Sequence, residues 1–219
     1  MSWYFPAMAP PKFLREWLSP HFAHPRGLVG RVVGWMMNRG NRNMNAFTVT
    51  ALALAPSDHV LDIGFGGGLN LRPLAASVPS GRVIGVEPSE TMLAAARSGF
   101  ADLVEGGRLR LEAGTVEHLP LEDASVDAVC SANTIYFWKD PEAGAREIRR
   151  VLRSDGRVAI TFLSGERMEA NGFPRDVFRF WSPDEVVELF AKAGFADVRI
   201  ARGPDPSAHW LSVVARRGA

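Results

Sequence analysis

The chain has 219 residues, 47% hydrophobic and 22% charged, the size and balance of one globular domain with enough core to fold without staples. Its 25 basic and 24 acidic side chains leave a formal charge of +1, so no global field draws it to nucleic acid or to an anionic membrane. A single cysteine, Cys130, excludes an internal disulfide framework and a zinc site built on several thiolates.

The opening MSWYFPAMAPPKF lacks a positive n-region and is interrupted by Pro6, Pro10 and Pro11, so it does not read as a signal peptide. No segment approaches the roughly 18 apolar residues of a membrane span. The expectation is a cytoplasmic protein without stable membrane insertion. Phe13, Leu14, Trp17 and Leu18 form one apolar stripe on a short helix bounded by Pro20 and Pro25. A second helix is predicted from Gly27 to about Asn38 and a third from about Asn41 to Ala55, before the turn Pro56-Ser57-Asp58.

Past that turn, short apolar runs alternate with helical stretches. Strands are predicted at 59–63 (HVLDI), 82–86 (RVIGV), 108–113, 126–131 (VDAVCS) and 157–162 (RVAITF). Helices are predicted from Leu69 to about Val78, from the Ser89 cap to Arg97, from Asp140-Pro141 to about Leu152, and from Ser182-Pro183 to about Ala193. Gly194 stops the last of these. Two final strands, near 197–201 and 209–215, follow one another with only a loop between. Alternating strands and helices predict right-handed crossovers and a mostly parallel, doubly wound sheet. The missing crossover at the end predicts an antiparallel last strand. The division is a helical N-terminal extension over 1–56 and an α/β domain over 57–219.

The turn Asp62-Ile63-Gly64-Phe65-Gly66-Gly67-Gly68 carries the strongest chemical signal. Glycines between a strand and a helix let the backbone turn sharply and let a ligand approach without meeting a β-carbon. Such a turn lies at the carboxyl edge of a doubly wound sheet, where these folds bind ligands. Its spacing, acidic-x-G-x-G-x-G, is not the dinucleotide G-x-G-x-x-G, because position 69 is Leu. Glu87, at the end of the next strand, is placed to accept from both hydroxyls of a ribose. That position alone does not separate NAD from other adenosine-bearing cofactors.

The segments HVLDIGFGGG, VIGVEPSETML, GTVEHLPLEDASVDAV and NTIYFWKDPEAGAREIRRVLRSDGRVAI resemble, in order and spacing, the motifs of class I S-adenosylmethionine-dependent methyltransferases. Within that family they look most like the ubiquinone- and menaquinone-biosynthesis subgroup and related small-molecule enzymes. The resemblance spans about residues 57 to 215 and implies a Rossmann-like, seven-stranded sheet with its last strand antiparallel. It also implies S-adenosyl-L-methionine as cofactor and a small-molecule acceptor. Carried over, Gly64, Gly66 and Gly68 would line the methionine part and Asp62 would hold its amino end. Glu87 would take the ribose, with Pro88 and Met92 near the adenine. Where the family often places an Asp against the adenine amino group, this chain has Gly114, Thr115 and Val116, and Glu117 or backbone groups would substitute. Ser131, Asn133 and Tyr136 would face the transfer region.

Methyl transfer from an activated donor demands alignment more than a fixed triad, and a general base only where the acceptor must lose a proton. Tyr136, His21, His24 and His209 are the candidates for that catalytic role. His21 and His24 have no carboxylate or cysteine cluster beside them, so no metal is expected. Cys130, inside an apolar strand, reads as a small buried hydrophobe. The aromatic N-terminus reads as a lid over a lipophilic or aromatic acceptor, or as packing on the sheet. The charge balance and the lack of a basic run predict no nucleic-acid partner, and a homodimer is one expectation for the assembly. The alternative function is a non-catalytic protein that binds S-adenosylmethionine or S-adenosylhomocysteine.

Overall fold

The computed structural model describes residues 42–203 and 210–218. The stripe at 13–18, the helix from Gly27, the aromatic start, His21, His24 and His209 lie outside the described residues. A helix over residues 42–51, α1, precedes the turn at 56–58. The sheet then alternates with helices: β1 (His59–Ile63), α2 (Leu71–Ser77), β2 (Arg82–Glu87), α3 (Glu90–Gly99), α4 (Ala101–Glu105), β3 (Leu109–Ala113) and β4 (Val126–Ala132). There follow α5 (Pro141–Val151), β5 (Leu152–Leu163), α6 (Gly165–Ala170), α7 (Pro183–Lys192), β6 (Phe195–Arg202) and β7 (Trp210–Arg217).

The seven strands form one sheet in the order β3-β2-β1-β4-β5-β7-β6. β1, β2, β3, β4 and β5 pair in parallel, whereas β7 runs antiparallel to both β5 and β6. This is the doubly wound sheet with an antiparallel last strand that the alternation predicts. The strand order reverses between β1 and β4, which creates a crevice at their carboxyl ends. Asp62 of β1 pairs in register with Cys130 of β4 and Gly85 of β2, so the glycine turn starts in the middle of the sheet.

Alternation along the strands divides the core between two faces. Leu61, Ile63, Val129 and Ile160 pack with Ile148 of α5 and Val186 and Phe190 of α7. Val60, Val83, Cys130, Ala159 and Val214 pack with Leu52, with Leu71 and Leu74 of α2 and with Leu93 of α3. Helix α1 is tied to that second face by a chain of three fully buried hydroxyls. Thr48 Oγ1 lies 2.8 Å from Thr161 Oγ1, which lies 3.1 Å from Ser212 Oγ.

Helix caps explain where the elements start. Asp140 accepts from Ala143 N at α5, with Pro141 in the first turn, and Ser182 and Glu185 form a reciprocal capping box at α7. The two strands that run furthest past their expected bounds, β5 and β6, each hold an irregularity. β5 starts at Leu152, paired with Val126, and bulges at Asp155, which adopts a φ of 60°. β6 bulges at Asp197 with a φ of 52°. Two short helices escape the apolar pattern: α4, and α6 within the segment after β5, where Ser164 accepts from Arg167 N.

Candidate active site at the strand switch point

Three glycines of the turn after β1 adopt left-handed backbone, with φ of 67° at Gly64, 51° at Gly66 and 76° at Gly68. Their surroundings differ. A β-carbon at Gly64 would sit 2.6 Å from Thr134 Cγ2, and one at Gly68 would sit 2.6 Å from the Phe100 ring. Those two allow close packing of the turn. A β-carbon at Gly66 would meet nothing within 4 Å, so Gly66 borders open space that a ligand can enter.

Glu87 fixes the geometry across the crevice. Its carboxylate accepts from Gly66 N at 3.0 Å and from Ser89 N at 3.0 Å. The group thereby ties the glycine turn to the first residues of α3, where Ser89 also caps the helix by accepting from Met92 N. Burial raises the Glu87 pKa, and the two backbone donors oppose that shift. Each carboxylate oxygen retains a further lone pair, so Glu87 can hold two backbone groups and still accept from a diol.

Asp62 is 1% exposed, and its Oδ2 has no hydrogen-bond partner. Oδ1 accepts from the Cys130 thiol at 3.5 Å. Burial pushes its pKa up to about 7, the Cys130 thiol and the nearby Asn70 side chain oppose the rise, and the Glu87 charge adds to it. Asn70 precedes α2 without capping it. A buried oxygen without a partner is costly to leave unpaired, and a ligand ammonium or a water held by it would complete the set. The open space at Gly66, the orphaned Asp62 oxygen and the anchored Glu87 thus fit a ligand that presents an amine and a ribose diol.

The remaining predicted residues divide into exposed, packed and hydrogen-bonded groups. Pro88 and Thr115 are exposed, and Met92 and Val116 are buried at 4% and 5%. Val116 packs in the main core cluster, close to Gly144 of α5. The Glu117 carboxylate accepts from Lys139 N at 2.8 Å and holds the turn before α5. Ser131 donates to Ile63 O at 2.8 Å and contacts Thr134 Oγ1.

Asn133 adopts a φ of 59° and donates its N–H to Thr161 O at 2.9 Å. Its Oδ1 accepts from the Tyr136 hydroxyl at 3.2 Å, which itself accepts from Leu163 N at 2.6 Å. Burial drives the Tyr136 pKa well above that of a free phenol. A phenol bonded in both directions and held neutral is a poor proton acceptor, which argues against the catalytic role expected for Tyr136. It clamps the loop after β4 to the end of β5 instead.

Asn70, Thr134 and Phe100 also border the turn and carry no sequence signal of it. Each acts through a contact distant along the chain or through an uncommon cap geometry, for which the local pattern gives no signal. Among the described residues no group of three or more His, Cys, Asp or Glu is placed to hold a metal ion, and no helix is long and apolar enough to cross a membrane.

A methyltransferase-domain family model matches residues 61–160. An uncharacterized methyltransferase of Bacillus subtilis, YdaC, is 30% identical over 169 residues, covering 77% of this chain and 88% of its own. The 2-methyl-6-phytyl-1,4-hydroquinone methyltransferase of spinach is 32% identical over 76% of this chain, which spans 48% of that longer protein. Among solved structures, a methyltransferase of Thermotoga maritima dependent on S-adenosylmethionine matches 87% of this chain and 96% of its own. Its TM-score is 0.64 at 25% identity. The motif series, the sheet order and these likenesses agree: the chain belongs to the class I S-adenosylmethionine-dependent methyltransferases and takes S-adenosylmethionine as its cofactor.

Proposed function

We propose that the enzyme methylates a small acceptor with an apolar or aromatic body, bound between the crevice and the segment after β5. The observation that carries this reading is a cluster of aromatic rings beside the loop that follows β4. Phe137 lies 5.1 Å from Phe178, which lies 5.3 Å from Phe173 and 6.0 Å from Tyr136. Phe137, Phe173 and Phe180 are only half-buried, so ring surface remains for a flat ligand. The spinach relative, named for a phytylated hydroquinone, supports a lipophilic acceptor by analogy alone.

In this reading Asp62 accepts from the cofactor's ammonium, Glu87 accepts from its ribose hydroxyls, and the backbone at Gly66 lies against its amino-acid part. Pro88, Met92, Thr115 and Val116 border the adenine, with Glu117 acting only through the turn that it holds. Bound S-adenosylmethionine supplies a methyl carbon already activated by its sulfonium. Asn133, held by Thr161 and Tyr136, orients the acceptor side, and the aromatic wall excludes water, so alignment provides most of the acceleration. Where the acceptor must lose a proton, a group other than Tyr136 removes it, and His21, His24 and His209 are proposed for that role.

The test is transfer of radiolabelled methyl to a panel of phenols, hydroquinones, aliphatic amines and thiols. Label is expected in the aromatic or prenylated members. Label confined to small hydrophilic amines would contradict the apolar acceptor, and cofactor binding without any transfer would favour a non-catalytic role.

A further inference from the structure

The segment after β5 carries a cation that the described residues leave unpaired. Among the described residues seven arginines are neither buried nor exposed: Arg108, Arg149, Arg150, Arg153, Arg157, Arg167 and Arg217. Six donate side-chain hydrogen bonds to carbonyls or carboxylates. The exception is Arg167, whose Nε is fully buried with no partner and whose guanidinium makes no hydrogen bond or ion pair with any described residue.

Its backbone is nevertheless well held. Arg167 N donates to Ser164 Oγ at 3.2 Å, Gly165 N donates to Trp181 O at 2.6 Å, and Met168 of the same helix is buried in the core at 1%. Its neighbours have no charge to lend. Glu169 is paired with Arg175 at 2.8 Å, and Glu166 is exposed and one residue away, where helical side chains do not face each other. Arg175 stacks over Phe180 at 4.3 Å and Arg179 over Trp181 at 4.1 Å.

Position gives this cation a use. α6 follows β5 directly, and because β5, β4, β1 and β2 run parallel it lies on the carboxyl edge that also bears Asp62, the glycine turn and Glu87. The clamp between Tyr136 and Leu163 joins the end of β5 to the loop beside the crevice. A half-buried guanidinium has lost part of its hydration, and its planar fork of donors matches a carboxylate or phosphate. We propose that Arg167 recognises an oxyanion, a carboxylate or a phosphate, carried by the acceptor. This deepens the methyl-transfer reading above and rests on it. The acceptor then combines an apolar or aromatic body with one anionic group.

The probes are 4-hydroxybenzoate, its methyl ester, phenyl phosphate and phenol, each titrated calorimetrically into the full chain saturated with S-adenosylhomocysteine. The wild type is expected to bind the two oxyanions at least about tenfold tighter than their neutral counterparts, and the tighter of the two identifies the source. Arg167→Gln should abolish that preference while S-adenosylhomocysteine affinity stays within about twofold. Arg167→Lys should keep part of it, as a point charge without the fork. Equal binding of charged and neutral probes by the wild type, or a preference that survives Arg167→Gln, would overturn the proposal.

An intrachain partner is tested separately, because Glu16 and Asp205 are the acidic side chains outside the described residues. The preference should be unchanged in Glu16→Gln/Asp205→Asn; a preference that appears only in that double variant would show the site is filled by the chain itself. Failure of S-adenosylhomocysteine to bind the wild type would instead remove the methyl-transfer reading. Thermal unfolding without ligand checks that Arg167→Gln folds, and its midpoint should not fall, since the substitution removes an unpaired half-buried charge.

Discussion

Asp62 is unfavourable for the free protein, and in its proposed cofactor role its unpaired oxygen becomes useful. Its pKa rises from 3.8 to about 7 because burial disfavours the carboxylate. Between those values the folded chain keeps a proton that the unfolded chain has released, so this group's contribution to stability declines as pH rises through that window. An ammonium ligand favours the ionised form, so cofactor affinity should increase from about pH 6 to pH 8. Asp62→Asn is expected to flatten that pH dependence and to weaken S-adenosylmethionine binding about tenfold or more. It should also raise the ligand-free melting temperature above pH 7. Calorimetry and thermal unfolding at several pH values read both effects, and an unchanged pH slope in the variant would count against the assignment. Tyr136→Phe removes a hydroxyl that bonds Leu163 and Asn133, so stability should drop by about 1–3 kcal/mol. The pH profile of turnover should keep its shape; loss of a limb from that profile would return Tyr136 to proton transfer.

At the scale of elements, the glycine turn separates packing from ligand approach. Gly68→Ala drives a β-carbon into Phe100 and also forces alanine to a φ of 76°, so it should destabilise the fold by about 2–5 kcal/mol. Gly66→Ala meets only open space and should cost about 1–2 kcal/mol of backbone strain, while weakening cofactor binding about tenfold or more. Denaturant unfolding and calorimetry on both variants distinguish the two roles. Equal loss of affinity per unit of lost stability would mean that Gly66 only packs. Much of this architecture was legible beforehand, because short apolar strands, Ser and Asp caps and the glycine turn are local signals. The bulges at Asp155 and Asp197 were not, since each depends on how two strands meet. Nor was α6, whose single buried methionine gives no periodic stripe. Of the candidate site, the glycine turn and Glu87 stand out from their positions in the sequence and Asp62 from the family resemblance, but the hydrogen bond from Gly66 to Glu87 joins residues 21 apart and needed the fold.

For the whole molecule, the sheet order places the ends of β1 and β4 at the point where the chain's winding reverses, with Asp62 on β1 and Glu87 at the end of the neighbouring β2. The hydroxyl chain from Thr48 to Ser212 ties α1 to β5 and β7. Calorimetric titration of the full chain with S-adenosylmethionine, S-adenosylhomocysteine and NADH, repeated with Glu87→Ala, tests this account most directly. Because Glu87 ties Gly66 to Ser89 and is assigned the ribose, the sulfur cofactors should bind the wild type at about micromolar Kd and lose at least about tenfold in the variant, with no NADH binding. Binding of NADH, or sulfur-cofactor affinity unchanged by Glu87→Ala, would contradict it.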